Sequence, residues 1–300
     1  MVVNEIQAAI EAIEKEAGLY EKTSFDSRVD AIDTLEFNII DRIEGLLQTL
    51  HPPEELLPLK QHAERVKRQL EAIDEALFQR LRADIRRGAC TGAVFKDLIE
   101  AYVGRDAGGR QSQAEPGYDN LDLFVNGLLL RWAVPGETKV REPEMVYYQP
   151  TPARIIFELV EKAQLTGEDV FYDVGSGLGH VPILVNLLSG AAAKGIEFEP
   201  AYGDYASLCA ADLNLSRVTF IQADARTADY SDGTVFFIYT PFEGRMLQAV
   251  LARLRGEAHR RRIRLFTYGP CTPQVARQSW LKHIDQNGDH PYKLGTFQSG

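Results

Sequence analysis

Three hundred residues carry 33 Lys and Arg against 43 Asp and Glu, a net charge of −10, with 45% apolar and 25% charged side chains. These are the proportions of a soluble globular chain of roughly two domains, and the acidic balance argues against nucleic acid or an anionic membrane as a default partner. No stretch nears the roughly 20 apolar residues of a membrane span, the N-terminus lacks the basic region of a signal peptide, and Cys90, Cys209 and Cys271 stand far apart without metal-ligand spacing, so we expect a cytoplasmic protein with reduced thiols, no metal and no membrane contact.

The first third is helical by pattern. Ile6, Ile10, Ile13 and Ala17 recur at helical spacing, and Val29, Ile32, Leu35, Ile39, Ile43, Leu46 and Leu50 do so over a longer stretch that Pro52 and Pro53 should end. Val66 to Ile85 predicts a third helix closed by Gly88, and Val94 to Tyr102 a short fourth. Each stripe is one-sided and none carries a polar constellation, so the expectation is a small bundle without chemistry whose apolar faces offer a homodimer contact. The segment Gly104–Gly117 reads as a linker, and Leu121–Trp132 as a helix.

Past Pro150 short apolar runs alternate with helical stretches. Strands are predicted at Val170–Val174, Ala193–Glu197, Val218–Gln222, Val235–Tyr239 and Ile263–Tyr268. Helices are predicted at Pro152–Ala163, His180–Leu188, Ala201–Leu213 and Gly244–Leu254. Such alternation means a parallel sheet covered on both faces. Trp280–Asp285 and Tyr292–Ser299, about an Asn287-Gly288 turn, predict a closing antiparallel hairpin.

Chemistry concentrates in FYDVGSGLGHVPILV, Phe171 to Val185. A strand ends at Asp173, the turn Gly175-Ser176-Gly177-Leu178-Gly179 follows, and a helix starts at once. Glycines let the backbone approach a ligand, and the helix N-terminus offers N–H groups to an anion. The spacing G-x-G-x-G is shorter than the dinucleotide fingerprint G-x-G-x-x-G. With Asp173 in front, it suits a zwitterionic amino-acid group such as the methionine part of S-adenosylmethionine. Glu197, ending the second strand, can accept both ribose hydroxyls, with Glu199 as a rival beyond the strand. Asp224, followed by Ala225, comes after the third strand, where a carboxylate can accept the adenine amino hydrogens.

These residues resemble the class I S-adenosylmethionine-dependent methyltransferases over about Tyr147 to Ser299. DVGSGLG is similar to their glycine motif, GIEFEP to the ribose acid, QADAR to the adenine motif and VFFIYTPFEG to the substrate-side motif. The resemblance implies an α/β fold, a seven-stranded, mostly parallel Rossmann-like sheet ending in an antiparallel hairpin, to which the helical stripes add an N-terminal α-helical domain. Pattern and resemblance together predict a helical domain 1–105, a linker and cap 106–146 and a methyltransferase domain 147–300. YYQPTPARIIFELV (Tyr147 to Val160) is also similar to the loop before the first strand in non-SET, histone-core lysine methyltransferases and related bacterial proteins. By that likeness Tyr148 and Thr151 reach the methionine end of the cofactor. A simple helix start, Thr151 as N-cap and Pro152 first in the helix, reads from the same residues.

At the end of the fourth strand, Thr240 and Phe242, with Tyr239 beneath, should line the methyl-transfer pocket. Many relatives carry Asn or Asp where Thr240 stands, and a hydroxyl is a poorer acceptor for an amine. His180 reads as a cap or packing residue. The arginines from Arg253 to Arg264 read as a solvated helix end, with an acidic partner as the sharper alternative. The functional expectation is therefore methyl transfer to an unidentified protein or small-molecule acceptor. The rival is a non-catalytic protein that keeps the fold to bind the cofactor or a partner.

Overall fold

A computed structural model describes residues 2–104, 118–284 and 290–300. The chain forms two compact units, Met1–Leu81 with Leu98–Ala107, and Arg82–Asp97 with Gly108–Gly300. The linker expected over Gly104–Gly117 falls almost wholly outside the described residues, as does the Asn287-Gly288 turn.

The first unit is helical. Helix α1 (Val2–Lys15) buries Ile6 and Ile10, and a 3-10 turn follows at Ala17–Tyr20. The long stripe does not run as one α-helix. Helix α2 (Phe25–Asp33) passes into a π-helical stretch at Thr34–Ile40 and then α3 (Asp41–Leu47). The wider π turn puts both Ile39 and Ile40 inside, which a strict 3.6-residue period does not. Helix α4 (Leu56–Arg86) begins right after the prolines and is 31 residues long. Helix α5 spans Ala93–Val103, and the end of α4 from Arg82 and the start of α5 through Asp97 fall in the second unit.

A polar centre lies inside this bundle. Arg28 is fully buried, and its Nε donates to Asp74 Oδ1 at 2.7 Å. Its Nη1 donates to the carbonyls of Leu19 (3.1 Å) and Glu21 (2.5 Å). A buried guanidinium survives only when its donors are met, and here one side chain ties the 3-10 turn to α4.

The second unit is built on seven strands: β1 (Val170–Val174), β2 (Ala192–Glu197), β3 (Val218–Gln222), β4 (Val235–Tyr239), β5 (Arg264–Tyr268), β6 (Leu281–His283) and β7 (Gly295–Ser299). Their order is β3-β2-β1-β4-β5-β7-β6, with β7 antiparallel to both neighbours. This is a mostly parallel, Rossmann-like seven-stranded sheet with a reversed final strand, as expected. Helices α6 (Asn120–Leu129), α7 (Ala153–Ala163), α8 (His180–Ser189), α9 (Pro200–Asp212), α10 (Gly244–Ala258) and the unpredicted short α11 (Thr272–Ala276) complete it. Strand order reverses between β1 and β4, so a crevice opens beyond their carboxyl ends.

One local expectation is corrected. Thr151 does not cap α7. The cap position falls on Pro152, and Asp122 Oδ1 of α6 takes the Ala153 N–H at 2.7 Å. In the arginine cluster Arg253, Arg255, Arg260 and Arg262 are exposed, while the half-buried Arg261 donates to Gly233 O and Glu257 and Arg264 to Asp169. All three cysteines are free and buried. No helix among the described residues is long and apolar enough to cross a membrane, and none of their His, Cys, Asp and Glu side chains cluster as a metal site.

Candidate active site

The crevice holds a cavity of about 430 Å³. Its walls take Gly175 after β1, Glu197 at the end of β2, Asp224 and Ala225 after β3, and Tyr239, Thr240 and Phe242 after β4. Tyr148 closes it from the segment before α7. Of the residues singled out by sequence, Thr151, Asp173, Ser176, Gly177 and Gly179 do not line it.

The glycine turn is held in a particular way. Gly175, Gly177 and Gly179 all have positive φ. A side chain at Gly175 would run into Pro241, and one at Gly177 into the ring of Tyr148, so both close approaches need glycine. The expectation of free N–H groups is corrected. Gly175 and Ser176 donate to Ile196 O at 2.9 and 3.0 Å, and Gly179 to Ser176 O at 2.9 Å. Gly177 donates to Glu197 Oε2 at 2.6 Å, and Leu178 to the Tyr148 phenol oxygen. The Ser176 hydroxyl turns toward Gly195 on β2 and has no hydrogen-bond partner, while Gly179 packs on Phe220 and Ala206.

Two acids of like charge lie close together under this turn. Asp173 is buried, and burial followed by the charge of Glu197 pushes its carboxyl well above the usual range. Burial also raises Glu197, against the opposing pull of N–H groups from Glu199 (2.8 Å), Gly177 and Phe198. Glu199 has a different task. It caps α9 through Ala201 N and accepts from the Thr138 hydroxyl and Lys139 N. Burial would raise it, but those bonds prevail and hold it at about 2. The strand-end acid of the cavity wall is thus Glu197, while Glu199 secures the segment in front of it.

Asp224 is gripped by its own neighbour, Arg226, whose other end reaches Glu142. That pairing holds Asp224 below the ordinary carboxylate range. His180 is buried, and burial lowers it to about 4, so the ring is neutral at physiological pH. Its Nε2 lies 2.9 Å from Asn126 Oδ1 and its Nδ1 3.4 Å from the Tyr148 hydroxyl. It therefore positions Tyr148, whose ring also leans on Tyr202 at 5.3 Å.

At the end of β4 the backbone is strained: Thr240 has φ +37°, rare for a β-branched residue. Its hydroxyl donates to Tyr268 O (3.2 Å) and accepts from Cys271 N (3.1 Å). Tyr239 and Tyr268 pair at 5.1 Å, and Tyr118, Tyr292 and Gly269 continue that wall. Burial pushes the Tyr268 phenol up to about 12 and Tyr239 higher still, so neither is a phenolate base at neutral pH. Sequence reasoning missed Glu142, Tyr202, Arg226 and Tyr268. Arg226 stood inside the quoted QADAR motif, but its partner Glu142 lies 84 residues upstream, a pairing that no local pattern shows.

The family described as Histone methylation protein DOT1 matches residues 143–263. Over that stretch the chain is similar to this family. No curated protein matches the sequence. Among solved structures, an RNA methyltransferase from Salinibacter ruber in complex with S-adenosyl-L-homocysteine is 24% identical, covering 50% of this chain and 92% of its own, with a TM-score of 0.38. A precorrin-6y C5,15-methyltransferase from Geobacter metallireducens is 17% identical over 52% and 92%, with a TM-score of 0.40. The strand order itself, rather than these likenesses, defines the fold.

Proposed function

We propose that this chain is an S-adenosylmethionine-dependent methyltransferase whose cofactor lies in the cavity beyond β1 and β4. The observation that carries the reading is Glu197: a buried acid at the end of β2, oriented by backbone N–H groups of Gly177, Phe198 and Glu199 and lining the cavity with Asp224. The residues present fit such a cofactor. Glu197 would accept the ribose hydroxyls, Asp224 and Ala225 would meet the adenine, and Asp173 would meet the ammonium of the methionine part from behind Gly175. Tyr148, with Thr151 behind it, would border the methionine end, and Ser176, Gly177 and Gly179 would shape the turn that carries it.

The cofactor supplies an electrophilic methyl group on a sulfonium. The protein's own task is to position a neutral nucleophile and exclude water, since charge is dispersed as the methyl moves. Tyr239, Thr240 and Phe242 would line the acceptor side. An amine acceptor would enter deprotonated, favoured by those aromatic walls. The acceptor belongs to the protein or small-molecule class, and the likeness to Histone methylation protein DOT1 over residues 143–263 favours the first. Incubation with S-adenosylmethionine labelled on the methyl group tests this. Label transferred to a protein or small-molecule fraction is expected. Cofactor binding without any transfer would favour the non-catalytic alternative.

A further inference from the structure

Among the described residues beside the cavity, Arg226 grips two carboxylates at once. Asp224 Oδ1 accepts from the Arg226 backbone N–H at 2.8 Å and from Nε at 3.0 Å. Asp224 Oδ2 accepts from Nε at 3.0 Å and Nη2 at 2.6 Å. On the far side Nη1 and Nη2 reach Glu142 Oε2 and Oε1 at 3.0 and 2.6 Å. A guanidinium is a rigid planar fork with five donors, so a bidentate grip at both ends fixes the plane of each carboxylate.

Glu142 belongs to a segment that borders the same cavity. Upstream, Lys139 N is bound to Glu199 at 2.8 Å. Downstream, Glu144 takes the Met246 N–H at 2.8 Å and Val146 N donates to Pro241 O at 3.0 Å. Arg226 is thus the tie between this bordering segment and the acid after β3.

From this geometry we infer that Arg226, clasped to Glu142, is a positioning residue that makes Asp224 a fixed, acceptor-only reader of the purine 6-position. The inference rests on the cofactor reading above. A carboxylate held ionised can accept from a 6-amino group but has nothing to offer a 6-oxo group, so it selects adenine over hypoxanthine. Three N–H groups of Arg226 hold the carboxylate, with Nε shared between its two oxygens, so the clasp fixes the plane in which Asp224 meets the cavity. Freed from the clasp, Asp224 can rotate away from the 6-position and lose that aim. Selectivity falls even where binding survives.

The test is calorimetric titration of S-adenosylhomocysteine and its 6-oxo analogue, S-inosylhomocysteine, into the full chain and into Arg226→Gln, Arg226→Lys and Glu142→Gln. Wild type should prefer the amino form by about 30-fold, the span of one buried hydrogen bond to a charged group. Arg226→Gln should cut that ratio about tenfold, Glu142→Gln by a smaller factor, and Arg226→Lys should fail to restore it because an ammonium cannot fork onto two carboxylates. Glu142 is partly exposed, so its variant tests the clasp even where an Arg226 change impairs folding. A merely structural role would weaken both ligands alike. An unchanged ratio in Glu142→Gln and in every folded Arg226 variant would overturn the clasp. Absence of S-adenosylhomocysteine binding to wild type would instead overturn the cofactor reading on which it rests.

Discussion

In the helical unit the buried charge of Arg28 meets an opposite charge on Asp74 and backbone carbonyls around it, all supplied by the same unit. In the sheet unit the buried charges of Asp173 and Glu197 are of the same sign. The first arrangement is complete in itself and fixes a turn. The second leaves unfavourable charge beside a cavity, which a fold keeps only at a cost in stability. A cationic ligand group would relieve it. The contrast separates a polar centre that holds structure from one that recognises something, and it does so on sign and pairing rather than on burial.

The comparison breaks most directly in the helical unit. Arg28→Leu, which strands the carboxylate of Asp74, should lower unfolding stability by about 3–5 kcal/mol in denaturant titration. The double replacement Arg28→Leu with Asp74→Leu should recover much of that loss, because no lone charge remains. A single variant within about 1 kcal/mol of wild type would mean the pair does not hold the turn.

The sheet unit should answer with the opposite sign. Asp173→Asn removes like-charge repulsion and should raise stability at pH 7 by about 1–2 kcal/mol, while weakening S-adenosylhomocysteine more than tenfold through the lost partner of its ammonium. The pH dependence follows from the direction of the shift. With the folded pKa of Asp173 raised, the folded state holds more protons than the unfolded one above the ordinary carboxylate range. Stability therefore falls as pH rises through that window. Asp173→Asn should flatten that fall. A steeper fall in the variant would contradict the assignment.

Thr240→Val offers a smaller test. It removes the hydroxyl that meets Cys271 N and Tyr268 O and should lower stability by about 1–3 kcal/mol, since a buried N–H loses its partner. Cofactor affinity should stay near wild type, because that hydroxyl is turned into the fold. A large loss of affinity would bring Thr240 into contact with the cofactor.

Much of the sheet unit was legible in the sequence because its central strands are covered on both faces, while the edge strand β3 shows as a β-branched run. VFYDV, VTFIQ and VFFIY stand out as short apolar runs, and the glycine turn marks the first strand end. The reversed β7 was visible through the hairpin pattern, although β6 has only three residues. What stayed hidden is long in range. Arg28 and Asp74 are 46 residues apart, and each reads alone as an ordinary charge on a helix. The π-helical stretch arises from packing Leu35, Ile39 and Ile40 together, which a fixed period cannot express. The engaged N–H groups of the glycine turn were likewise unreadable, since Glu197 and Tyr148 reach them from other parts of the chain.

The central claim is that Glu197 marks a cofactor site, and calorimetric titration of S-adenosylhomocysteine into wild type and Glu197→Ala tests it most directly. The account predicts saturable binding to wild type and a loss of about 1–3 kcal/mol in the variant, from the missing ribose hydrogen bonds. Equal affinity in a folded Glu197→Ala protein, or no binding to wild type, would contradict it.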